Sequence, residues 1–277
     1  MSLRYEKVKK SPTIFLRMFG ITPLQFETIL KELQPLWDKK ILGSYKRPGR
    51  DFKLPLEDMV LLLLLYYRSY VSQMHVGFLF GLDDSRVCRL IQKLEPLLAS
   101  VMSLPEKKIL TGEDLEVLID ATEQGIERPK ENQKAYYSGK KKKHTLKTEM
   151  RTSLKGKIIG ISKESPGSVH DFALYKKEEP LPKGVRAYVD GGYQGLDKIH
   201  EETQLPFKRT KNKSLDQEEK DYNQALSRIR VKIENVFAQL KTFKILSDRY
   251  RNKRKRYHIK FTIIAGIVNL KNGFASF

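Results

Sequence analysis

The sequence predicts an all-α unit followed by an α/β unit. Two observations carry that reading: residues 12–103 hold a helical pattern with no strand alternation, and from about residue 111 the pattern changes to alternating or continuous apolar runs. The expected division is 1–110 and 111–277, and 277 residues are enough to bury two cores of ordinary size.

In the first part the prolines at 23, 35, 48, 55 and 105 predict helix breaks. Leu56 to Tyr70 reads as a strongly apolar helix, and a second is expected at about Gln73 to Phe80, ended by Gly81. Asp83, Asp84 or Ser85 can cap a third, SRVCRLIQKLEPLL, by accepting from its free N–H groups. Two helices joined by a tight glycine turn, with Ser85, Arg86 and Arg89 on the leading turns of the second, fit a helix-turn-helix. An ordinary three-helix bundle with solvated arginines is the alternative.

In the second part LEVLIDATEQ (115–124), HTLKTEMRTSL (144–154) and KIIGISKES (157–165) read as strands, the last two joined by a turn at Lys155 and Gly156. HDFALYKKEE (170–179) reads as a short helix capped by Ser168, and VRAYVDGGY (185–193) as a strand ending at Asp190 before Gly191 and Gly192. A short helix is expected near Gly195 to Thr203, a strand near Leu205 to Lys208, and a long helix from about Gln217 to Phe243. Three strands, a helix, a strand, a helix, a strand and a long helix form the order of a ribonuclease H-like domain.

The charge of +20 is localised. Residues 128–157 carry +9 and residues 205–260 carry +11, so these two windows hold the whole excess and point to a polyanionic partner. Cys88 is the only cysteine, which excludes an intramolecular disulfide and a cysteine-based zinc site. The longest apolar run, Met59 to Tyr67, is far short of the ~20 residues a membrane helix needs. A cytoplasmic, nucleoid-associated protein is expected. His75, His144, His170, His200 and His258 lack metal-ligand spacing.

Three carboxylates stand where the ribonuclease H-like order converges: Asp120 on the first strand, Asp190 at the end of the fourth and Glu234 on the last helix. Glu234 lies beside the apolar stripe Ile229, Ile233, Val236, Leu240 and Phe243, and Arg230, Glu234 and Lys241 are spaced by four and seven on one flank. Phosphodiester cleavage needs an activated oxygen nucleophile and a stabilised leaving oxygen; two divalent ions ~4 Å apart supply both and require hard oxygen ligands. Each acid also has a plain alternative as a cap, a turn residue or a surface ion-pair partner. Asp171, three residues after Ser168, reads as a structural first-turn carboxylate. YYSGKKKKHTLK pairs aromatics with the run Lys140, Lys141, Lys142 and Lys143, suited to holding a DNA backbone or opened bases.

LIDATE, RPKENQKAYYSGKKKKHTLKT, SPGSVHDF, YVDGGYQG and RIRVKIENVFAQLKTFK, with its R-x3-E-x6-K spacing, cover much of the second part. On these motifs the chain resembles the DDE-superfamily insertion-sequence transposases of the family numbered five, related to Harbinger-type endonucleases. The resemblance implies that Asp120, Asp190 and Glu234 are a metal-binding catalytic triad, that Arg230 and Lys241 contact DNA beside it, and that the N-terminal helices are a helix-turn-helix. One departure stands out: Ser227 occupies the place of a usual tyrosine.

The implied activity is binding of the inverted-repeat ends of the chain's own element, hydrolysis of the end phosphodiester with two Mg²⁺ ions, for which Mn²⁺ can substitute, and attack of the freed 3′-hydroxyl on target DNA. The implied partner is double-stranded DNA, element ends and target, with no membrane; paired ends imply a homodimer. The rivals are a nuclease of the same fold that cuts without joining and a DNA-binding regulator with a lapsed catalytic site.

Overall fold

The computed structural model describes residues 2–44, 51–104, 115–210 and 214–274. The expected breaks at Pro48 and Pro105 and the expected boundary at 110 lie outside these residues. The chain forms two compact units: Met1–Ser103 with Leu240–Asp248 and Arg254–Phe277, and Leu104–Gln239 with Arg249–Lys253. The C-terminal segment, expected in the α/β unit, thus belongs to the helical one.

The helical unit begins with α1 (Tyr5–Val8), α2 (Pro12–Phe19) and α3 (Pro23–Lys40). Thr22 and Gln25 form a capping box that starts α3, and Pro23 sits at its first position, where no N–H is needed. Pro35 does not break α3 as expected but lies inside it; the apolar face of Phe26, Ile29, Leu33 and Trp37 is buried and holds the helix through the lost hydrogen bond. Next come α4 (Leu56–Ser69), α5 (Gln73–Phe80) and α6 (Asp84–Val101). Buried from Met59 to Tyr67, α4 is the centre about which the others pack.

Between α5 and α6 the turn is as read. Gly81 adopts φ 72°, a left-handed conformation that a side chain would strain. Asp83 Oδ1 accepts from the Arg86 N–H at 2.8 Å and caps α6.

The segment from the end of the chain enters this unit as α11 (Tyr257–Lys271). Apolar on all sides, α11 needs a helical core rather than one face of a sheet, and it packs on α6. Gly266 permits that approach, since a Cβ there would stand 2.5 Å from the Met102 Cβ. Glu95 on α6 is fully buried and receives Tyr67 Oη at 2.8 Å, Lys260 Nζ at 2.7 Å and Arg256 Nε at 2.7 Å. Burial drives the Lys260 pKa down, against the pull of Glu95.

The second unit is a mixed sheet of β1 (Glu116–Gly125), β2 (Tyr137–Ser138), β3 (Lys143–Ser153), β4 (Ile158–Ile161), β5 (Ser165–Pro166), β6 (Arg186–Tyr188) and β7 (Thr203–Gln204). Central β1 is antiparallel to β3 and parallel to β6, which is parallel to β7; β4 lies on the far side of β3. This is the ribonuclease H-like arrangement.

Helix α7 (Gln133–Tyr136) precedes β2, α8 (Asp171–Tyr175) precedes β6, α9 is Gln217–Lys241, and α10 (Lys244–Ser247) belongs to the helical unit. His170, not Ser168, is the N-cap of α8, with no side-chain bond. Ser168 instead donates its backbone N–H to Ala135 O, which closes the loop before the helix. The helix expected at 195–203 is only a 3-10 turn, Leu196–Lys198, and the strand expected at 205–208 is β7, earlier and two residues long. Among the described residues, no helix is long and apolar enough to cross a membrane.

Candidate active site

Strand alternation places the acids. Val117, Ile119, Ala187 and Val189 share one core with Tyr175, Tyr193 and Leu196, so Asp120 projects to the opposite face. Leu118 pairs with Tyr188 on the parallel strand β6. Two residues further along each chain stand Asp120 and Asp190, which puts both side chains at the same end and on the same face.

Asp190 closes its own turn by accepting from the Gly192 N–H at 2.7 Å. On the facing helix, Arg230 Nη2 stands 3.3 Å from Asp120 Oδ2. Burial and the neighbouring Asp190 raise the Asp120 carboxyl to about 6, against Arg230 and the Ala121 N–H. Burial together with the neighbouring carboxylate outweighs the single guanidinium. Hard oxygen donors whose charge is under-compensated are the donor set a divalent cation takes, so these two residues fit such an ion.

Asp120 and Asp190 line a cavity of about 400 Å³ with Glu123, Lys147, Asp171 and the hairpin residues Tyr137 to Lys140. That hairpin is the lysine run: Tyr137 pairs with His144, Ser138 with Lys143, and Lys142 has φ 53° at the turn. Lys140 to Lys143 are all exposed.

Glu234 is exposed on α9, one turn past Arg230, and does not line the cavity. Among the described residues no three Asp, Glu, His or Cys side chains gather closely enough to hold a metal ion. Lys241 is exposed in the last turn of α9, within the segment that belongs to the helical unit. Ser227 is exposed as well. In the helical unit Arg86 and Arg89 are exposed on α6, and they line a cleft of about 540 Å³ with Phe52, Lys53, Leu90 and Lys93.

Sequence reasoning missed Glu123 and Lys147 on the cavity lining and favoured a structural role for Asp171. The signal was in β3, where Lys147, Glu149 and Arg151 alternate with Leu146, Thr148 and Met150, a charged ladder inside a strand; all three charges are buried. Glu149 Oε1 receives Arg151 Nε at 3.0 Å, yet burial pushes its carboxyl to about 7, with Glu178 adding to the rise.

A pKa raised on folding stabilises the protein below the unfolded value and loses that contribution as pH rises through the folded one. Wild-type stability is therefore expected to fall between pH ~4.5 and ~7, by about 3 kcal/mol for this residue. Glu149→Gln should be the more stable protein at pH 8 and equal to wild type near pH 4, as read by urea denaturation. A variant weaker than wild type at pH 8 would contradict this.

The family described as DDE superfamily endonuclease matches residues 119–269, and that described as helix-turn-helix of DDE superfamily endonuclease matches residues 52–104. The chain is 39% identical over 275 residues to a protein of Microchaete diplosiphon named as a transposase for insertion sequence element IS702, covering 96% of this chain and 98% of the relative. It is 26% identical over 242 residues to one of Streptomyces albus G named as a transposase for insertion sequence element IS112, covering 83% and 84%. No solved structure matches the chain significantly. With a helix-turn-helix in its helical unit and a ribonuclease H-like sheet that pairs Asp120 with Asp190, the chain belongs to the DDE-superfamily insertion-sequence transposases.

Proposed function

We propose that this transposase binds the inverted-repeat ends of its own element, hydrolyses the end phosphodiester and joins the freed 3′-hydroxyl to target DNA. The observation that carries the reading is the pair Asp120 and Asp190, side by side at one end of the sheet in a cavity whose rim carries Lys140.

Membership of the family implies dependence on divalent metal. Asp120, Asp190 and Glu234 are the residues proposed to hold two such ions, Mg²⁺ with Mn²⁺ as substitute. When bound, the ions activate the attacking oxygen and offset charge on the leaving oxygen. The chain's own residues do the rest. Asp120 and Asp190 are fixed by the sheet before substrate arrives, so little ordering remains at the moment of reaction. Arg230 covers Asp120 in the free protein and would be free to hold a DNA phosphate once that carboxylate is otherwise neutralised. Lys140, Lys141, Lys142, Lys143 and Lys241 hold the backbone, while Arg86 and Arg89 on α6 face the end sequence. Pairing of two ends in the cytoplasm makes the working form a homodimer.

A plasmid carrying the gene's natural flanks tests the reading. Incubation with Mg²⁺ or Mn²⁺ is expected to give cuts at the repeat ends and joined products, and EDTA to abolish both. Cuts without joining would make the chain a nuclease of this fold; end binding without cuts would make it a regulator.

A further inference from the structure

Lys147 lies on β3 with its side chain only 10% exposed, a costly place for an ammonium group unless it is fully used. It is used three ways. Nζ donates to Val169 O at 2.7 Å and to Asp171 Oδ1 at 2.9 Å, and it stands 3.6 Å from Glu123 Oε1. Glu123 is held in turn by Thr145, whose hydroxyl donates to Oε2 at 2.8 Å.

The second oxygen of Asp171 leads to the catalytic pair. A Cβ placed on Gly192 would lie 2.3 Å from Asp171 Oδ2 and 2.9 Å from Asp190 Oδ1. The two carboxylates therefore press on the same α-carbon, and Gly192 must lack a side chain. Gly192 is also the residue whose N–H holds Asp190 Oδ1.

From these contacts we propose that Lys147 is a positioning residue for Asp190: it pins Asp171 and the loop before α8 against the turn Asp190 to Gly192, so that the Asp190 carboxylate keeps its place beside Asp120. The inference rests on the reading of Asp120 and Asp190 as the site of cleavage. Without the ammonium, Asp171 loses the cation that pairs it with Glu123 and moves away from the turn, which then loses its backing.

The test uses the full chain with Lys147→Met, which keeps the length of the side chain, Asp171→Asn and the double variant. Lys147→Met is expected to lower the cleavage rate at saturating DNA by about 10- to 100-fold, the usual cost of losing a group that orients a ligating residue, with DNA affinity unchanged. Since Lys147 acts through Asp171, the double variant should lose no more than the worse single one. In the absence of metal, amide hydrogen exchange should rise in peptides covering 169–176 and 190–196, with exchange in the rest of the chain unchanged.

Cleavage by Lys147→Met at the wild-type rate would overturn the inference while leaving the site assignment intact. A rate loss that comes with a uniform rise in exchange across the chain would overturn it too. Wild-type protein that binds DNA but never cuts would sink the site assignment; the exchange arm then decides whether Lys147 orders the turn, and exchange at 190–196 equal to wild type refutes it.

Discussion

Alanine in place of Asp120 or Asp190 is expected to lower strand cleavage at least about a thousandfold, equivalent to ~4 kcal/mol of activation free energy, while binding of element ends changes little. The two effects separate because they rest on different groups. Affinity for DNA comes from Lys and Arg meeting phosphates, whereas the aspartates face a cavity at the end of the sheet. Each substitution relieves the repulsion between the two carboxylates but gives up a bond, the Arg230 pair of Asp120 or the Gly192 N–H held by Asp190, so the sheet unit should stay folded. Gel-shift titration alongside cleavage of supercoiled plasmid measures both quantities on one preparation. Glu234→Ala is the more pointed variant, because Glu234 is exposed on α9. An equal loss there means that α9 delivers its carboxylate when DNA and metal are bound. Full cleavage by Asp190→Ala would falsify the assignment.

Glu95→Ala is expected to destabilise the helical unit by about 3–5 kcal/mol, the cost of removing one partner from a buried ion pair. Glu95 is wholly buried and is the shared acceptor for Tyr67, Arg256 and Lys260, of which Lys260 is itself buried. Removing it strands an ammonium among apolar side chains. Glu95→Ala with Lys260→Met should regain much of the loss, because a buried pair replaced by apolar groups is often near neutral. Chemical denaturation followed by the fluorescence of Trp37 reports on this unit. A loss below about 1 kcal/mol would show that the cluster is not held as a unit.

Both predictions concern residues of different legibility. Asp120 was readable because it ends an apolar run, and Asp190 because it precedes two glycines; strand alternation then forces them together. The turn into α6 was readable because capping chemistry is local: Gly81 and Asp83 act on N–H and C=O groups a few residues away. Glu95 was not. Its cations lie about 160 residues later, and nothing near LEPLL announces a lysine from α11. Pro35 misled because propensity is a weak prior that a buried face overrides. Two-residue β7 carries no period to detect, and its place was read from Leu205 onward because that apolar residue packs beside the core just after the strand ends. Lys147 was legible in principle, as a charge on the inward phase of a strand, but its role depends on Gly192, which only the fold brings near Asp171.

The helical unit is discontinuous: α6, the second helix of its helix-turn-helix, is packed by residues that follow the whole sheet unit. In order of synthesis, α6 precedes the sheet unit and α11 follows it. Until α11 arrives, Glu95 has neither of its cations and the face of α6 that receives α11 is bare, so the nascent chain carries an unfinished DNA reader while the sheet unit can already fold. A ribosome that stops early, or a reading frame broken late, yields a chain with the sheet strands intact but with α6 uncovered on that face. Packing of the helix-turn-helix is thereby tied to translation through α11: until then one face of α6 has no cover.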